Sequence, residues 1–440
     1  MNIGMPDFIK TVFNYIKQSE LLKVVSLTGI ATVIKFITGF FSLKAIAILI
    51  GPDGVALVGQ AVNFSTILLT ISTGGITFGI VKLIADNSDN PERLNKIIET
   101  SITFVLVCSI IAGFIVIFLS DYLSEKFFND VQYNYVFIIF GSTLIFYSLN
   151  ITILGVLNGL RKYREFVWVN ISNSIFGLII TILFVYFFGL GGALVSAISY
   201  QSFAFVITFI IIRRNNEIRI KFISYIYNIK ILKQLLSYSL MSLTSAIVIP
   251  TSQIIVRSLA MEKFSAVEAG YWEAINRFSV LSMGFFTTTL GVYYLPALSK
   301  TKDNIELKSV IISTSRIILP MVLVFLSITF IARDLVIELL YSKDFYPMKS
   351  LFVWQLSGDF IRIAAWMLSF IFLAKTMTKQ FVITELIFPI IFVLNSIILM
   401  NLTNSIEGIS QAYLINKILY LITMILLFKK TLWNSTNGLS

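Results

Sequence analysis

Long apolar runs follow one another along this chain from residue 24 to residue 428, and they constrain its fold more than any other feature. A run of ~20 apolar residues is what a helix needs to cross a ~30 Å hydrocarbon core. In that core every backbone N–H and C=O must find its partner within the segment. We read about twelve such runs, at 24–50, 58–82, 97–119, 135–158, 166–188, 191–212, 233–256, 268–295, 307–331, 349–374, 380–400 and 407–428. A membrane β-barrel would show ~10-residue alternating segments instead, and these runs do not alternate. Only 13% of residues are charged and the mean hydropathy is +0.88, whereas a soluble domain carries about 25% charge. The expected fold is an all-α polytopic membrane protein.

The basic residues give the orientation. Of 34 Lys and Arg, with those within two residues of a run's end counted in the adjoining loop, 22 fall at the termini and in the even-numbered loops, six in the odd-numbered loops and six inside the runs. By the positive-inside rule both termini are expected in the cytoplasm, with 161-RKYR-164 and 213-RRNNEIRIK-221 facing inward. The net charge of +11 is then mostly a topology signal rather than a nucleic-acid footprint. Residues 1–23, with Lys10, Lys17 and Lys23 among apolar positions, read as a cytoplasmic interfacial segment. No small-residue cleavage site follows it.

The longest inward connection divides the runs six and six. The expected layout is an N-terminal lobe over 24–212, a linker over 213–232, a C-terminal lobe over 233–428 and a cytoplasmic tail over 429–440. Two halves with an even number of spans share one orientation, so any repeat is parallel, about an axis along the membrane normal. At an offset of 213 residues, Ala56/Ala269, Gln60/Glu273, Ala61/Ala274, Val62/Ile275 and Asn63/Asn276 coincide. A shared preference for small residues at a helix start is the plainer explanation.

Some chemistries are excluded outright. The chain has no histidine and one cysteine, Cys108. An intrachain disulfide, a Cys/His metal site and histidine acid–base catalysis are therefore ruled out, and no metal or cofactor is expected.

The informative residues are the charges inside the runs. Lys35, Lys44, Arg277, Arg316, Arg362 and Lys417 outnumber Glu273, Asp359 and Glu385. Each such charge costs roughly 2.5–3.5 kcal/mol on insertion scales, and a purely structural set of ion pairs should nearly balance. Gln355, Asp359, Arg362, Trp366 and Ser369 are spaced to form one helical stripe. Two explanations stand for it: an i,i+3 ion pair that lets the helix insert, or a face lining water. Lys35 shares a face with Thr28, Thr32, Gly39 and Ser42, while Lys44 lies about 180° around the same helix. Glu273 and Arg277 are i,i+4, Glu385 precedes Pro389, and Lys417 shares a face with Tyr413 and Tyr420. Polar stripes from both halves imply a central cavity between two six-helix bundles, lined by net positive charge. Such a cavity suits a phosphate-bearing anion.

The pattern 33-VIKFITGFFSLKA-45, followed by 51-GPDG-54, 61-AVNF-64, 294-YLPALS-299 and the block 348-MKSLFVWQLSGDFIRIAAWMLSFIFLAK-375, carries a resemblance over nearly the whole chain. The chain resembles the Wzx-type flippases of lipid-linked oligosaccharides, within the multidrug/oligosaccharidyl-lipid/polysaccharide exporter superfamily. It is most similar to the branch that moves the enterobacterial common antigen lipid. The resemblance implies two six-helix lobes around a V-shaped cationic cavity in the bacterial inner membrane. It also implies translocation of an undecaprenyl-diphosphate-linked unit, such as an O-antigen unit, to the outer leaflet, with ion-coupled antiport as one option. A polysaccharide polymerase and a chain-length regulator are the implied partners, around a monomeric transport unit. Lys35, Lys44, Asp359 and Arg362 fall in the matching stretches.

Lys35, Arg277, Arg362, Lys417 and Lys44 are thus the expected substrate-binding cations, with Asp359, Glu273 and Glu385 as coupling or salt-bridge partners. Two alternatives stand beside this reading, the first from the same superfamily and the second an enzyme. A multidrug antiporter would need an acidic cavity for its cationic drugs. A polymerase or glycosyltransferase, which would be an enzyme, would present large outer loops with clustered catalytic residues. The outer loops here, 120–134 and 332–348, mix acids with bases.

Overall fold

A straight helix over Glu20–Ser72, 53 residues, would be about 80 Å long, more than twice the hydrocarbon thickness. Gly51 prevents this. Its φ of 71° and ψ of −175° turn a sharp corner, in the positive-φ region that glycine enters freely, and Pro52 starts the next helix with a pre-set φ. The same device recurs at Gly189, with φ 55° and ψ −134° inside Tyr163–Arg214.

The structure is a computed structural model and describes residues 20–214, 228–301, 303–375 and 377–429. Among these residues there are helices and no strands. In chain order they are α1 (20–50), α2 (52–72), α3 (Thr77–Asp86), α4 (Pro91–Phe118), α5 (Ser120–Phe128), α6 (Asn134–Gly159), α7 (163–188) and α8 (190–214). The second half continues with α9 (Ile229–Ser237), α10 (Ser239–Lys263), α11 (Ala266–Thr289), α12 (Leu295–Lys300), α13 (Asn304–Ile331), α14 (Arg333–Leu340), α15 (Leu351–Ala374), α16 (Thr378–Thr403) and α17 (Glu407–Leu427).

Nine of the described helices are long and apolar enough to cross a membrane, two of them the bent pairs α1–α2 and α7–α8. Glu273, Asn276 and Arg277 make α11 less apolar than these, yet its 24 residues give it a length of about 36 Å, enough to cross. The architecture is therefore twelve spans, as the apolar runs predict. Large apolar side chains such as Phe114, Phe118, Ile331 and Leu402 stand exposed on the outside, the face a bilayer covers.

Two boundaries differ from the sequence reading. The run 58–82 is broken by Gly74 and Gly75, both at positive φ, so α2 ends at Ser72 and α3 is a separate segment. The run 233–256 divides into the short amphipathic helix α9 and the span α10, which continues to Lys263. Hydropathy ends that run at Arg257, because a charge closes an apolar window even where the helix goes on. The expected interfacial segment lies outside the described residues up to residue 19, as does most of the linker, 215–227, and the tail beyond residue 429.

Two lobes result. In the first, α1 and α2 pack against α7 and α8, and α4 against α6. Gly113 and Gly141 let α4 and α6 touch backbone to backbone: a Cβ on either would lie 2.5–2.7 Å from the other's carbonyl oxygen. Small residues at close helix crossings are the usual membrane solution. In the second lobe α17 packs between α15 and α16, and α16 against α10. The lobes meet along α1 with α11, through Phe40 and Phe278 at 6.3 Å, and along α2 with α10.

Candidate substrate cavity and lobe latch

A cavity of about 520 Å³ lies within the second lobe, walled by α10, α11, α15, α16 and α17. Gln355, Arg362, Trp366 and Ser369 line it, so four of the five residues of the polar stripe on α15 face this space. From α16 comes Glu385, followed by Pro389 within the helix; from α17 come Tyr413, Asn416 and Lys417. The charged lining is thus Arg362 and Lys417 against Glu385, a surplus of one positive charge.

Asp359, the fifth stripe residue, sits behind the wall with no solvent exposure. Its Oδ1 accepts from Ser279 Oγ of α11 at 2.7 Å and from Tyr413 OH of α17 at 2.8 Å, and lies 3.1 Å from Arg362 Nη2. Arg362 Nη2 also donates to Ser279 Oγ at 3.3 Å, and its guanidinium stacks 5.2 Å from the Trp366 ring centre. Lys417 Nζ sits 5.3 Å from the Tyr413 ring centre. Gly358 makes this approach possible, since a Cβ there would lie 2.5 Å from the Tyr413 ring. Both sequence explanations of the stripe hold at once: the i,i+3 ion pair exists, and its neighbours line a cavity. The sequence does not reveal that the carboxylate ties three helices together.

A second cluster closes the lobe interface near the Gly51 end. Arg257 is fully buried and pairs through Nη2 with Glu273 Oε2, while Arg277 Nε donates to Glu273 Oε1 at 2.6 Å. Arg257 Nη1 reaches across the interface and donates to Gln60 Oε1 of α2 at 2.9 Å. Gln60 Nε2 in turn donates to Ser258 Oγ at 2.7 Å. The Asn63 amide, its oxygen turned toward Arg257, lies 3.2 Å from Nη2. Trp272 stacks 5.5 Å from the Arg257 guanidinium. One acid thus serves two arginines, neutral amides of the first lobe add to the shell, and Arg257 Nε and Arg277 Nη2 stay buried without a hydrogen-bond partner.

The sequence-predicted residues therefore fall into three places. Arg362, Lys417 and Glu385 share the cavity with Asp359 behind it, and Glu273 with Arg277 belongs to the latch. Lys35, exposed, and Lys44, half-buried, lie on α1 outside that cavity, and among the described residues neither has a carboxylate within 4 Å. The cavity wall comes from one lobe, where polar stripes from both halves imply two.

Arg257 is absent from the sequence-predicted set, because the apolar run ends at residue 256 and leaves it in the connection that follows. A signal was present: Arg257 stands at the same offset of 213 residues from Lys44 that links Glu273 to Gln60. The paired positions Gln60 and Glu273 converge on the one guanidinium.

A model of the polysaccharide biosynthesis protein family matches residues 21–302. The chain belongs to that family. The chain is 24% identical over 366 residues to the lipid III flippase of Escherichia coli strain K12, covering 83% of the chain and 88% of the relative. It is 26% identical over 280 residues to a putative O-antigen transporter of Shigella flexneri, covering 61% and 64% of the two chains. Its fold overlays on an inward-facing multidrug resistance MATE family transporter with a TM-score of 0.78 at 13% identity, covering 92% of this chain and 96% of that one. A lipid II flippase in an inward-closed conformation overlays with a TM-score of 0.70 at 15% identity, covering 93% and 87%.

Proposed function

We propose that this protein is a flippase that carries an undecaprenyl-diphosphate-linked oligosaccharide, an O-antigen or enterobacterial common antigen unit, from the cytoplasmic to the periplasmic leaflet of the bacterial inner membrane. It acts as a transporter rather than an enzyme, as a monomeric unit with both termini in the cytoplasm, beside a polysaccharide polymerase and a chain-length regulator. The lobes are 24–212 and 233–428, joined by 213–232, and they rock to alternate access. Ion-coupled antiport is one way to drive that motion.

The observation that carries the proposal is the pairing of Arg362 and Lys417 on the wall of a 520 Å³ membrane-embedded cavity. A guanidinium and an ammonium on adjacent helices are a natural grip for a diphosphate. Lys35, Arg277 and Lys44 extend the cation set on the substrate path, with Asp359, Glu273 and Glu385 as their counter-charges. The latch of Arg257, Glu273 and Gln60 holds the Gly51 end shut, and with that end facing the periplasm the lobes are in an inward-facing state. The relatives' names agree with the flippase reading.

The test replaces Arg362 and Lys35 separately by Ala in a strain lacking its own flippase. Surface glycan is then scored against membrane abundance. Each variant is expected to lose at least about ten-fold in transport, ~1.4 kcal/mol of substrate interaction. If both variants restore glycan at wild-type abundance, the cation grip is wrong.

A further inference from the structure

At the Gly51 end a second cavity, of about 500 Å³, lies between the lobes. One wall is α5 with Asn129 after it, and the other is the end of α10. Its floor is Gln60, 1% exposed, whose amide holds both Ser258 and Arg257. Arg362 and Lys417 line the other cavity and do not reach this space.

The α5 wall is a built surface. Asn134 Nδ2 donates to Asp121 Oδ1 at 2.6 Å, and Asp130 Oδ1 accepts from the Gln132 N–H at 2.9 Å. Asn129 ends the helix at φ 54°, a left-handed conformation that Asn adopts more readily than most residues. Phe127 is anchored against Phe64 and Phe137, ring centres at 5.2 and 6.3 Å. Tyr122 stands 62% exposed at the mouth. Glu125 on one wall and Glu262 on the other make no ion pair within 4 Å among the described residues.

These groups have the chemistry of a sugar site. Aromatic rings offer a flat apolar face to the C–H face of a pyranose, and Tyr adds a polar handle. Carboxylates and amide carbonyls accept from hydroxyls, and amide N–H groups donate to them. The volume lies in the range of small-molecule sites. Two acids against the single Lys126 leave the lining one negative charge, the opposite sign to the inner cavity, so a phosphate or uronate is disfavoured and a neutral or amino-bearing sugar favoured.

We infer that this cavity is a second glycan site, which takes an uncharged or amino-bearing sugar unit at the Gly51 end of the lobe interface. The inference rests on the flippase reading, because it is the glycan, not the lipid diphosphate, that is held here. A sugar that reaches the floor competes for the Gln60 amide, so occupancy bears directly on the latch.

The experiment uses the full chain in phospholipid nanodiscs and saturation-transfer NMR, with the methyl glycosides of N-acetylglucosamine and glucuronic acid as probes. Transfer to the N-acetyl sugar is expected, with at least five-fold less to the glucuronide. Tyr122→Ala and Glu262→Gln should each reduce the signal at least five-fold, while Tyr122→Phe keeps the ring and retains it. Absence of transfer from the wild-type protein, equal transfer to the acidic sugar, or a signal unchanged in Tyr122→Ala overturns the site. Complementation of a flippase-null strain, run in parallel, separates the two ideas. A chain that flips but binds no sugar refutes the site alone. One that binds the sugar but restores no surface glycan refutes the transport reading and leaves the site standing.

Discussion

Arg257 and Glu273 form an ion pair buried to within 3% of full enclosure on neighbouring helices of one lobe, and Gly59 of the other lobe packs directly on it. A Cβ at Gly59 would lie 2.5 Å from the Glu273 carboxyl carbon and 2.9 Å from the Arg257 guanidinium carbon. The Gly51 end therefore shuts by seating bare backbone on a charge cluster. Gly59→Ala is expected to push that end open and lower transport at least ten-fold. Interlobe distances from spin labels should then shift toward an open Gly51 end, and an unchanged distribution would contradict the latch.

Removing the shared acid is a harsher test. Glu273→Ala leaves Arg257 and Arg277 without a counter-charge, a loss of about 3–5 kcal/mol for a broken buried pair. Thermal unfolding in detergent should show that loss. Replacing Arg257 by Met in the same chain should recover a good part of it, because the orphaned charge is then gone.

The carboxylate knot in the second lobe yields a graded series. Tyr413→Phe removes one of the donors to the Asp359 carboxylate but keeps the ring under Lys417, so it should cost about 1.5–3 kcal/mol. Asp359→Asn keeps an acceptor for Ser279 and Tyr413 but strips Arg362 of its counter-charge. It should destabilise more than Tyr413→Phe and abolish most transport. Equal melting temperatures for the two would show that the ion pair contributes nothing.

A cross-link can test whether the latch must open. Gln60 and Ser258 are hydrogen-bonded across the lobes at 2.7 Å, and Cys108 is the sole native cysteine. In a Cys108→Ala background, Gln60→Cys with Ser258→Cys should be bridged by a short bis-methanethiosulfonate reagent, which spans the length of the lost Gln side chain, and should stop transport and recover it with reductant. Transport that persists in the cross-linked protein would rule out rocking about this contact.

In the first lobe, Gly141→Ala should cost about 1–3 kcal/mol by overpacking, since its Cβ would press on the Gly113 carbonyl oxygen. Detergent unfolding should register that cost with no change in which glycan is carried.

The sequence by itself determined the spans. Lipid leaves the backbone no partner but its own helix, so each crossing had to be written as a long apolar run, and all twelve were legible. It also named most of the charges found in the inner cavity and the interlobe cluster, because an ionisable group in a membrane is rare enough to stand out in a single sequence. It failed at Arg257, where one charge ended an apolar window six residues before the helix ends at Lys263. Only the tertiary structure decided how those charges group. Asp359 finds Ser279 and Tyr413 at sequence distances of 80 and 54 residues, and Gln60 meets Arg257 across 197. Periodicity fixes which face of a helix a residue occupies, but it carries no information about the helix opposite. That opposing helix is what makes Arg362 and Lys417 one cavity and leaves Lys35 outside it.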